Sequence, residues 1–242
     1  MQVLVIPDVH LKNWMFDAAE DLMKEKTADM VVCLMDIPDD WGKEYDLKAY
    51  EDAFDRAIEF AKSFPNTLWC YGNHDLSYLW LGMESGYSYA AEDLVYMKLM
   101  ELKDLLEKHG KIAYIHRIDD VLFMHGGLTD SFVKAFTKDS TYNDIDAVIR
   151  QINSFGRDQM WQNYSPIWLR PQYGDYRMYK PRRLLQVVGH TPRHQIERKR
   201  NVISCDVFST YKNGEAIGSQ EFLLIDTKTL EYTGIHHLYR SE

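Results

Sequence analysis

The sequence is poor in features that would indicate a secreted or membrane protein. It has only 3 cysteines, Cys33, Cys70 and Cys205, each within or beside an apolar run, so we expect reduced core thiols rather than a disulfide framework. No apolar run approaches the roughly 18 residues that a membrane-spanning helix needs. The start of the chain also lacks the basic, then apolar pattern of a secretion signal. These absences predict a cytoplasmic protein without membrane contact.

The chain also has fewer basic than acidic residues. The chain has 28 Lys and Arg against 37 Asp and Glu, a net charge of −9, and this disfavours nucleic acid as a partner because binding a phosphate backbone needs a basic face. A small phosphorylated substrate stays compatible, since metal ions and a few local cations can dominate the field of a cleft. The length predicts one domain, residues 1–242. Nothing in the sequence indicates an oligomeric state.

Apolar runs and amphipathic patterns alternate in the first half of the chain. They predict strands at residues 2–7, 30–35 and 67–70 and helices at 14–26, 48–64 and 89–109, with Asn13 as the first helix cap. Residues 76–88 carry no clear pattern. The second half predicts a hairpin of 111–117 with 121–124, a mostly helical stretch at 129–162 and a long loop at 163–181. Further strands are predicted at 184–188, 202–205, 221–226 and 231–236.

Five of the apolar runs end in metal-binding residue types. The residues at these ends are Asp8, His10, Asp36, Asn73, His74, His125 and His190. Polar side chains at several strand ends point to one shared site. Carboxylate, imidazole and amide oxygen together suit Mn, Fe or Zn better than Ca or Mg, which prefer oxygen alone.

The order of these residues resembles a known superfamily. The segments are Asp8-Val9-His10, Asp36-Ile37-Pro38-Asp39, Gly72-Asn73-His74-Asp75, His125-Gly126-Gly127-Leu128 and Gly189-His190-Thr191-Pro192. Together they resemble the calcineurin-like metallophosphoesterase superfamily, and most closely the branch of serine/threonine phosphoprotein phosphatases and their bacterial and phage relatives. The resemblance implies an α/β fold, a four-layer αββα sandwich of two mixed β-sheets flanked by helices.

The resemblance also implies roles for individual residues. It implies two divalent metal ions, the first held by Asp8, His10 and Asp36 and the second by Asp36, Asn73, His125 and His190. His74 would protonate the leaving oxygen, oriented by Asp39. Arg170, in a Trp-x-Arg segment like that of bacterial relatives, is the first candidate for binding the substrate phosphate, and Arg193 is the second. For Asp75 and Asp206 we favour a role in supporting loops.

The sequence departs from the family pattern at three positions. Met35 stands where Gly usually precedes the bridging Asp, and Pro192 replaces a second His that many members carry. Asp40 stands where phosphoprotein phosphatases usually carry Arg, which argues against a phosphoprotein substrate.

The leading hypothesis is a phosphatase that hydrolyses a phosphomonoester, of a phosphoprotein or a small molecule, by a metal-activated hydroxide. One alternative is a phosphodiesterase or dinucleoside polyphosphate hydrolase that uses the same site. The other is a non-catalytic metal-binding scaffold that holds a partner protein around Trp14, Trp41 and Trp80.

Overall fold

The computed structural model describes residues 1–236, and the predicted domain 1–242 ends outside them. Within the described residues the strands form two mixed sheets. The first sheet contains β1 (Gln2–Ile6), β2 (Met30–Cys33), β3 (Leu68–Cys70), β4 (Ile112–Ala113), β10 (Phe222–Asp226) and β11 (Tyr232–Ile235). Its order is β11-β10-β1-β2-β3-β4, with β1 to β4 parallel and β10 and β11 antiparallel.

The second sheet is built by the later strands. It contains β5 (Ile115–Ile118), β6 (Val121–Met124), β7 (Leu185–Val188), β8 (Glu197–Lys199) and β9 (Val202–Ser204) in the order β5-β6-β7-β9-β8. Strands β6, β7 and β9 are parallel, and β5 and β8 are antiparallel edges. The carboxyl ends of the parallel strands of each sheet therefore lie along one edge.

Helices cover the outer faces of the two sheets. They are α1 (Trp14–Lys24), α2 (Leu47–Ser63), α3 (Asn73–Trp80), α4 (Glu92–Glu107), α5 (Asp130–Phe136), α6 (Ile145–Asn153) and α7 (Arg157–Met160). Helix α1 packs on β1 and α2, α4 packs on α2 and β4, and α6 packs on β5. In the part of the chain that the structure describes, no helix is both long and apolar enough to cross a bilayer.

Alternate side chains of the central strands pack on opposite faces of each sheet, one face toward the other sheet and one toward the helices. In β1, Val3 and Val5 pack between the two sheets, while Leu4 and Ile6 point toward the helices. In β6, Phe123 faces the other sheet. This period of two is the geometry of a pleated strand, and both faces are apolar because both are covered. The predicted four-layer αββα sandwich of two mixed sheets is confirmed.

Two local predictions differ from the structure, and one stretch without a prediction contains part of a helix. The side chain of Asn13 makes no capping hydrogen bond to α1, and its backbone is already helical at φ −54° and ψ −31°. The unassigned stretch 76–88 contains the second part of α3 (Asn73–Trp80), a helix too short to show a clear period. The predicted strand 111–117 is two strands in different sheets, since β4 pairs with β3 and β5 pairs with β6. The chain crosses between the sheets at Tyr114, whose N–H donates to Asn153 Oδ1 at 3.2 Å.

The predicted loop at 163–181 is confirmed, with one short 3-10 turn at Pro171–Tyr173. It is anchored on the second sheet at both ends. The N–H of Gly126 donates to Pro166 O at 2.6 Å, and the N–H of Tyr179 donates to Leu128 O at 2.9 Å. Both hydrogen bonds join the loop to the turn that follows β6, which begins with His125.

Candidate metal centre and active site

The predicted metal-binding residues follow strands whose carboxyl ends meet. Asp8 and His10 follow β1, Asp36 follows β2, Asn73 begins α3 directly after β3, His125 follows β6 and His190 follows β7. Each strand is parallel to its neighbour on this edge. Crevices at the carboxyl ends of parallel strands are the usual ligand sites of open α/β sheets. Here two sheets contribute to one crevice.

One group of ligand atoms surrounds the ring of His125. Its Nε2 lies 3.0 Å from Asp36 Oδ2, 3.1 Å from Asn73 Oδ1 and 3.2 Å from His190 Nδ1. The other ring nitrogen, Nδ1, lies 3.0 Å from the carbonyl oxygen of Leu34. A hydrogen bond from Nδ1 to a carbonyl leaves the lone pair on Nε2, the arrangement usual for a histidine that binds a metal.

A second group contains Asp8, His10 and Asp36. His10 Nδ1 lies 2.8 Å from the carbonyl oxygen of Asp39, and its Nε2 lies 4.0 Å from Asp36 Oδ2. Asp8 Oδ2 accepts a hydrogen bond from the backbone N–H of His190 at 2.8 Å. Asp36 belongs to both groups, as the predicted bridge requires.

The two groups fit divalent cations. In each of the sets Asp36–His125–His190 and Asp8–His10–Asp36, the ligand atoms lie within 4.8 Å of one another. Asp8 Oδ1 and His190 Nε2 are buried and have no hydrogen-bond partner among the described residues. A buried polar atom without a partner is costly, and a cation bound by Asp8 would remove that cost for Oδ1. Carboxylate with imidazole suits Mn, Fe or Zn.

Burial and mutual charge displace the pKa values of these side chains. Burial and the nearby carboxylates of Asp206 and Asp36 raise the pKa of Asp8 well above its usual range. Burial opposes ionisation of His125, but the charges of Asp36 and Asp8 raise its pKa to about 9. Burial and the charge of His125 hold the pKa of His190 well below its usual range. In the metal-free chain the raised pKa values therefore favour protonated Asp8 and His125, and metal binding would have to displace these protons.

The backbone that presents the cluster is strained. His10, Met35, Asp36, Asp39 and His190 have φ values of +43°, +56°, +45°, +67° and +64°. Left-handed backbone costs a non-glycine residue roughly 1–2 kcal/mol, and such strain concentrates at functional sites. Met35, in the place where the resembling family has glycine, still adopts the left-handed turn.

Two glycines allow backbone to approach the carboxylates. A Cβ on Gly72 would lie 2.0 Å from Asp36 Oδ1, and a Cβ on Gly189 would lie 2.0 Å from Asp8 Oδ1. No side chain fits at either position without displacing a ligand of the cluster. Both glycines lie in the motifs that carry the family resemblance.

His74 and Asp39 form an ion pair beside the cluster. His74 Nδ1 donates to Asp39 Oδ2 at 2.8 Å, while the hydroxyls of Tyr50 and Tyr78 donate to Asp39 Oδ1 at 3.0 and 2.5 Å. Burial opposes protonation of His74, but Asp36 and Asp39 raise its pKa to about 9. The imidazolium is held in one orientation, with Nε2 left for proton transfer.

Asp75, the next residue, makes structural hydrogen bonds instead. Its carboxylate accepts the backbone N–H groups of Gly72 at 3.0 Å, Asp36 at 2.9 Å and Ile37 at 3.1 Å. It therefore ties the start of α3 to the turn after β2.

A cavity of about 150 Å³ opens above these residues. It is lined by His10, Asp36, Asp39, Asp40, Trp41, His74, Ser85, Gly86, Arg170, His190, Pro192, Asp206, Ser209 and Thr210. Arg170 reaches it from the loop 163–181 and donates from Nη1 to His190 O at 2.7 Å. Within residues 1–236, Arg170 has no acidic ion-pair partner, so its guanidinium can bind an anion.

Arg193 lies elsewhere. Its Nη2 pairs with Glu197 Oε1 at 2.5 Å, and it is not among the residues that line the cavity. The structure thus brings together the six predicted metal ligands, the predicted acid and Arg170, but not Arg193.

Comparison with known proteins gives the family. The model of calcineurin-like phosphoesterases matches residues 1–223. The chain belongs to this family. A comparison with curated proteins finds no significant match. Consistent with membership, the chain is a metal-dependent phosphoesterase, and its candidate ligands are those at the strand ends.

Solved structures share the fold of this phosphoesterase. A cold-active protein-tyrosine phosphatase of a psychrophilic Shewanella species superposes with a TM-score of 0.57 at 17% identity, over 97% of this chain and 80% of that chain. A hypothetical protein of Pyrococcus horikoshii superposes with a TM-score of 0.52 at 12% identity, over 99% and 89%. At these identities the likeness concerns the fold.

Sequence reasoning undervalued one residue of the cavity. Asp206 follows the apolar run 202–205 in the same way as the predicted ligands follow theirs, and it lines the cavity. That shared pattern was the signal available in the sequence.

Proposed function

We propose that this phosphoesterase hydrolyses a phosphomonoester with two divalent ions, using His74 as the general acid, Asp39 to orient it and Arg170 to bind the phosphate. The observation that supports this most directly is the His74–Asp39 pair, with its 2.8 Å contact, in the same cavity as Asp36 and Arg170. An acid, a cation-binding cluster and an anion-binding guanidinium around one small cavity are the parts that phosphoryl transfer to water requires.

Asp36 is the proposed bridge between the two sites. Asp8 and His10 would complete the first site, and Asn73, His125 and His190 the second. When bound, the ions would lower the pKa of water and neutralise charge on the phosphoryl group. Mn, Fe or Zn fits the donors. Asp36 is suited to the shared position because residues of both sites approach its Oδ2, His125 Nε2 at 3.0 Å and His10 Nε2 at 4.0 Å. Its Oδ1 accepts the N–H of His74 at 2.9 Å.

His74 supplies the proton of the leaving group. Its Nδ1 is held by Asp39, so the Nε2 proton is the one available to the leaving alkoxide. After transfer the neutral ring remains bonded to Asp39 and is reprotonated from solvent, since 15% of its side chain is exposed. No covalent enzyme intermediate is needed.

The cavity favours a substrate that inserts only its phosphoryl group. Its volume of about 150 Å³ is below the roughly 300–1,000 Å³ of sites that enclose a whole small molecule. Asp40 lines the cavity, but Lys12 pairs with its carboxylate at 3.0 Å, so the charge of Asp40 is largely compensated. The small volume is therefore what favours a substrate whose leaving group stays outside the cavity.

The test compares phosphomonoester, phosphodiester and dinucleoside polyphosphate hydrolysis by the manganese-loaded protein, with p-nitrophenyl phosphate, bis-p-nitrophenyl phosphate and a dinucleoside tetraphosphate. His74→Asn should lower the kcat on the monoester by about 10²–10⁴-fold. His109→Asn, at the exposed end of α4, is the matched control and should not change it. Absence of turnover on every ester, or a folded His74→Asn variant with wild-type kcat, would contradict the proposal.

A dinucleoside polyphosphate is the second candidate, because Trp41 lines the same cavity. Its side chain is 38% exposed, and Lys212 Nζ lies 4.8 Å from its ring centroid. An exposed indole at the rim could stack on a nucleobase. Faster turnover of the tetraphosphate than of the monoester would favour this function.

The scaffold alternative has weaker support. Trp14 and Trp80 are partly buried and pack against the core, and of the three tryptophans only Trp41 is strongly exposed. The cytoplasmic location and the relation to the bacterial and phage phosphoprotein phosphatase branch remain part of our proposal. Pro192, in place of a second His, supports that branch.

A further inference from the structure

Asp206 occupies a strand-end position equivalent to those of the proposed ligands. It follows β9 after Cys205, and β9 is parallel to β7, with Val188 paired to Ser204. His190 follows β7 two residues after the strand, as Asp206 follows β9. The same edge of the second sheet therefore carries both side chains, and both line the cavity.

The carboxylate of Asp206 is only half satisfied. Its side chain is buried, at 1% exposure. Oδ1 accepts a hydrogen bond from the hydroxyl of Ser209 at 2.7 Å, whereas Oδ2 has no hydrogen-bond partner among residues 1–236. A role restricted to holding the loop would be met by the Ser209 contact alone. The second oxygen needs another explanation.

The cation closest to these carboxylates is a histidine. Asp8, Asp36 and Asp206 are three buried carboxylates, and none forms an ion pair with Lys or Arg in the described part of the chain. The ring of His125 lies 3.0 Å from Asp36 Oδ2 and 3.9 Å from Asp8 Oδ2. One imidazolium does not balance three buried carboxylates, and a bound cation would remove the cost of the remaining charge.

The site with Asp8 and His10 is the one that needs a further donor. The other site has four side chains converging on it, Asp36, Asn73, His125 and His190. Here only Asp8, His10 and Asp36 converge. Two residues of this site, His10 and Asp36, line the same cavity as Asp206.

We propose that Asp206, through Oδ2, is an additional ligand of the divalent cation held by Asp8, His10 and Asp36. This inference rests on the proposed function, because it presupposes that the cluster binds metal. It assigns to Asp206 a role beyond the loop support expected from the sequence, and it adds a third protein carboxylate to the metal centre.

The test is a calorimetric titration of the metal-free whole chain with Mn²⁺. Wild type should bind two ions. Asp206→Asn preserves the shape and can still accept from Ser209, but it loses the charge, so one of the two affinities should fall by about 10–100-fold. Ser209→Ala removes the loop contact and keeps the carboxylate, so its Mn²⁺ affinity should fall less than that of Asp206→Asn. Asp130→Asn, a buried carboxylate on α5 outside the cavity, is the control for losing an acidic residue.

A second variant gives a signal that a structural role would not produce. Asp206→Cys should shift the preference of one site from Mn²⁺ toward Cd²⁺, because a thiolate is a soft ligand. Cd²⁺ and Mn²⁺ titrations of this variant measure the shift directly.

The outcomes separate the two proposals. Wild-type Mn²⁺ affinity at both sites of a folded Asp206→Asn variant, or an equal loss in Ser209→Ala, would overturn the assignment of Asp206. An unchanged Cd²⁺ preference in Asp206→Cys would do the same. If wild type binds two Mn²⁺ ions but hydrolyses no phosphate ester, the proposed function fails and the metal role of Asp206 stands. If wild type binds fewer than two, both fail.

Discussion

Replacing Asp39 with asparagine tests the proton donor directly. Asp39 accepts His74 Nδ1–H on one oxygen and the hydroxyls of Tyr50 and Tyr78 on the other. An asparagine carbonyl can replace the acceptor for the tyrosines, but the amide NH₂ then faces Nδ1 and cannot accept its proton. The imidazolium form of His74 loses its partner while the surrounding contacts remain.

The size of the effect follows from the pKa of His74. That pKa is raised from 6.5 to about 9, against the opposing effect of burial, by the charge of Asp36, the hydrogen bond of Asp39 and the charge of Asp39. Asp39→Asn removes two of these three contributions, so we expect the pKa to fall by at least about one unit, or ~1.4 kcal/mol. General acid catalysis is worth about 10²–10⁴-fold. A fall of one unit, from about 9 to about 8, leaves the ring mostly protonated at pH 7, so the loss of the acid form should lower kcat mainly at alkaline pH, by up to about tenfold. A larger loss at pH 7 would report the lost orientation of the ring.

The assay is the pH dependence of kcat on two monoesters with different leaving groups. A general acid must be protonated to act, so activity is lost as pH rises through its pKa, and this alkaline limb should move to lower pH in Asp39→Asn. Phenyl phosphate has the poorer leaving group and should lose more activity than p-nitrophenyl phosphate. Tyr50→Phe removes one hydrogen bond from the opposite oxygen of Asp39 and should leave the limb in place. An unmoved limb with equal losses on both substrates would refute the role of the pair.

Three further predictions concern the same cluster. Gly72→Ala should lower the Tm and the Mn²⁺ affinity together, because its Cβ would lie 2.0 Å from Asp36 Oδ1; thermal unfolding with and without Mn²⁺ checks this, and an unchanged Mn²⁺ affinity would contradict it. In the metal-free chain, His74 and His125 have pKa values of about 9 against the ordinary 6.5. Their protonated forms therefore stabilise the folded state fully below pH 6.5, and this stabilisation is lost as pH rises through 9, by at most about 3 kcal/mol for each. Urea unfolding measures the free energy of unfolding, and a constant value from pH 6.5 to 9 would disprove the prediction. Arg170→Lys should raise the KM for p-nitrophenyl phosphate at least about tenfold with a smaller change in kcat, because a lysine lacks the planar fork that binds phosphate in a bidentate manner; steady-state kinetics would reveal an unchanged KM if Arg170 does not bind substrate.

The location of the site could be predicted because it depends on strand direction alone. An apolar run that ends in Asp or His marks the carboxyl end of a buried strand, and parallel strands bring such ends to one edge. Asp8, Asp36 and His125 were recognisable on this basis. At Met35 the backbone is left-handed, at φ +56°, although the residue is not glycine.

Other features depend on contacts that a local pattern does not encode. The split of 111–117 between two sheets is decided by the strands on either side, β3 and β6, which lie far away in sequence. Arg193 directly follows the last motif, three residues after His190. Its guanidinium nevertheless pairs with Glu197, at the start of β8. Asp206 has the same pattern as the ligands, but its unpartnered oxygen is visible only in three dimensions.

Helix geometry explains why neighbouring residues of the motif Gly72 to Asp75 do different work. Residues of a helix are rotated by about 100° from one to the next, and α3 begins at Asn73. Asn73 Oδ1 therefore meets His125, the ring of His74 turns toward Asp39 and the cavity, and the carboxylate of Asp75 turns back to the N–H groups before the helix. Because the helix starts at the cluster, one turn presents the proposed metal ligand, the proposed proton donor and a structural cap in succession. A longer extended segment would have sent alternate side chains to opposite faces of a strand, and the acid would not have stood beside the ligand.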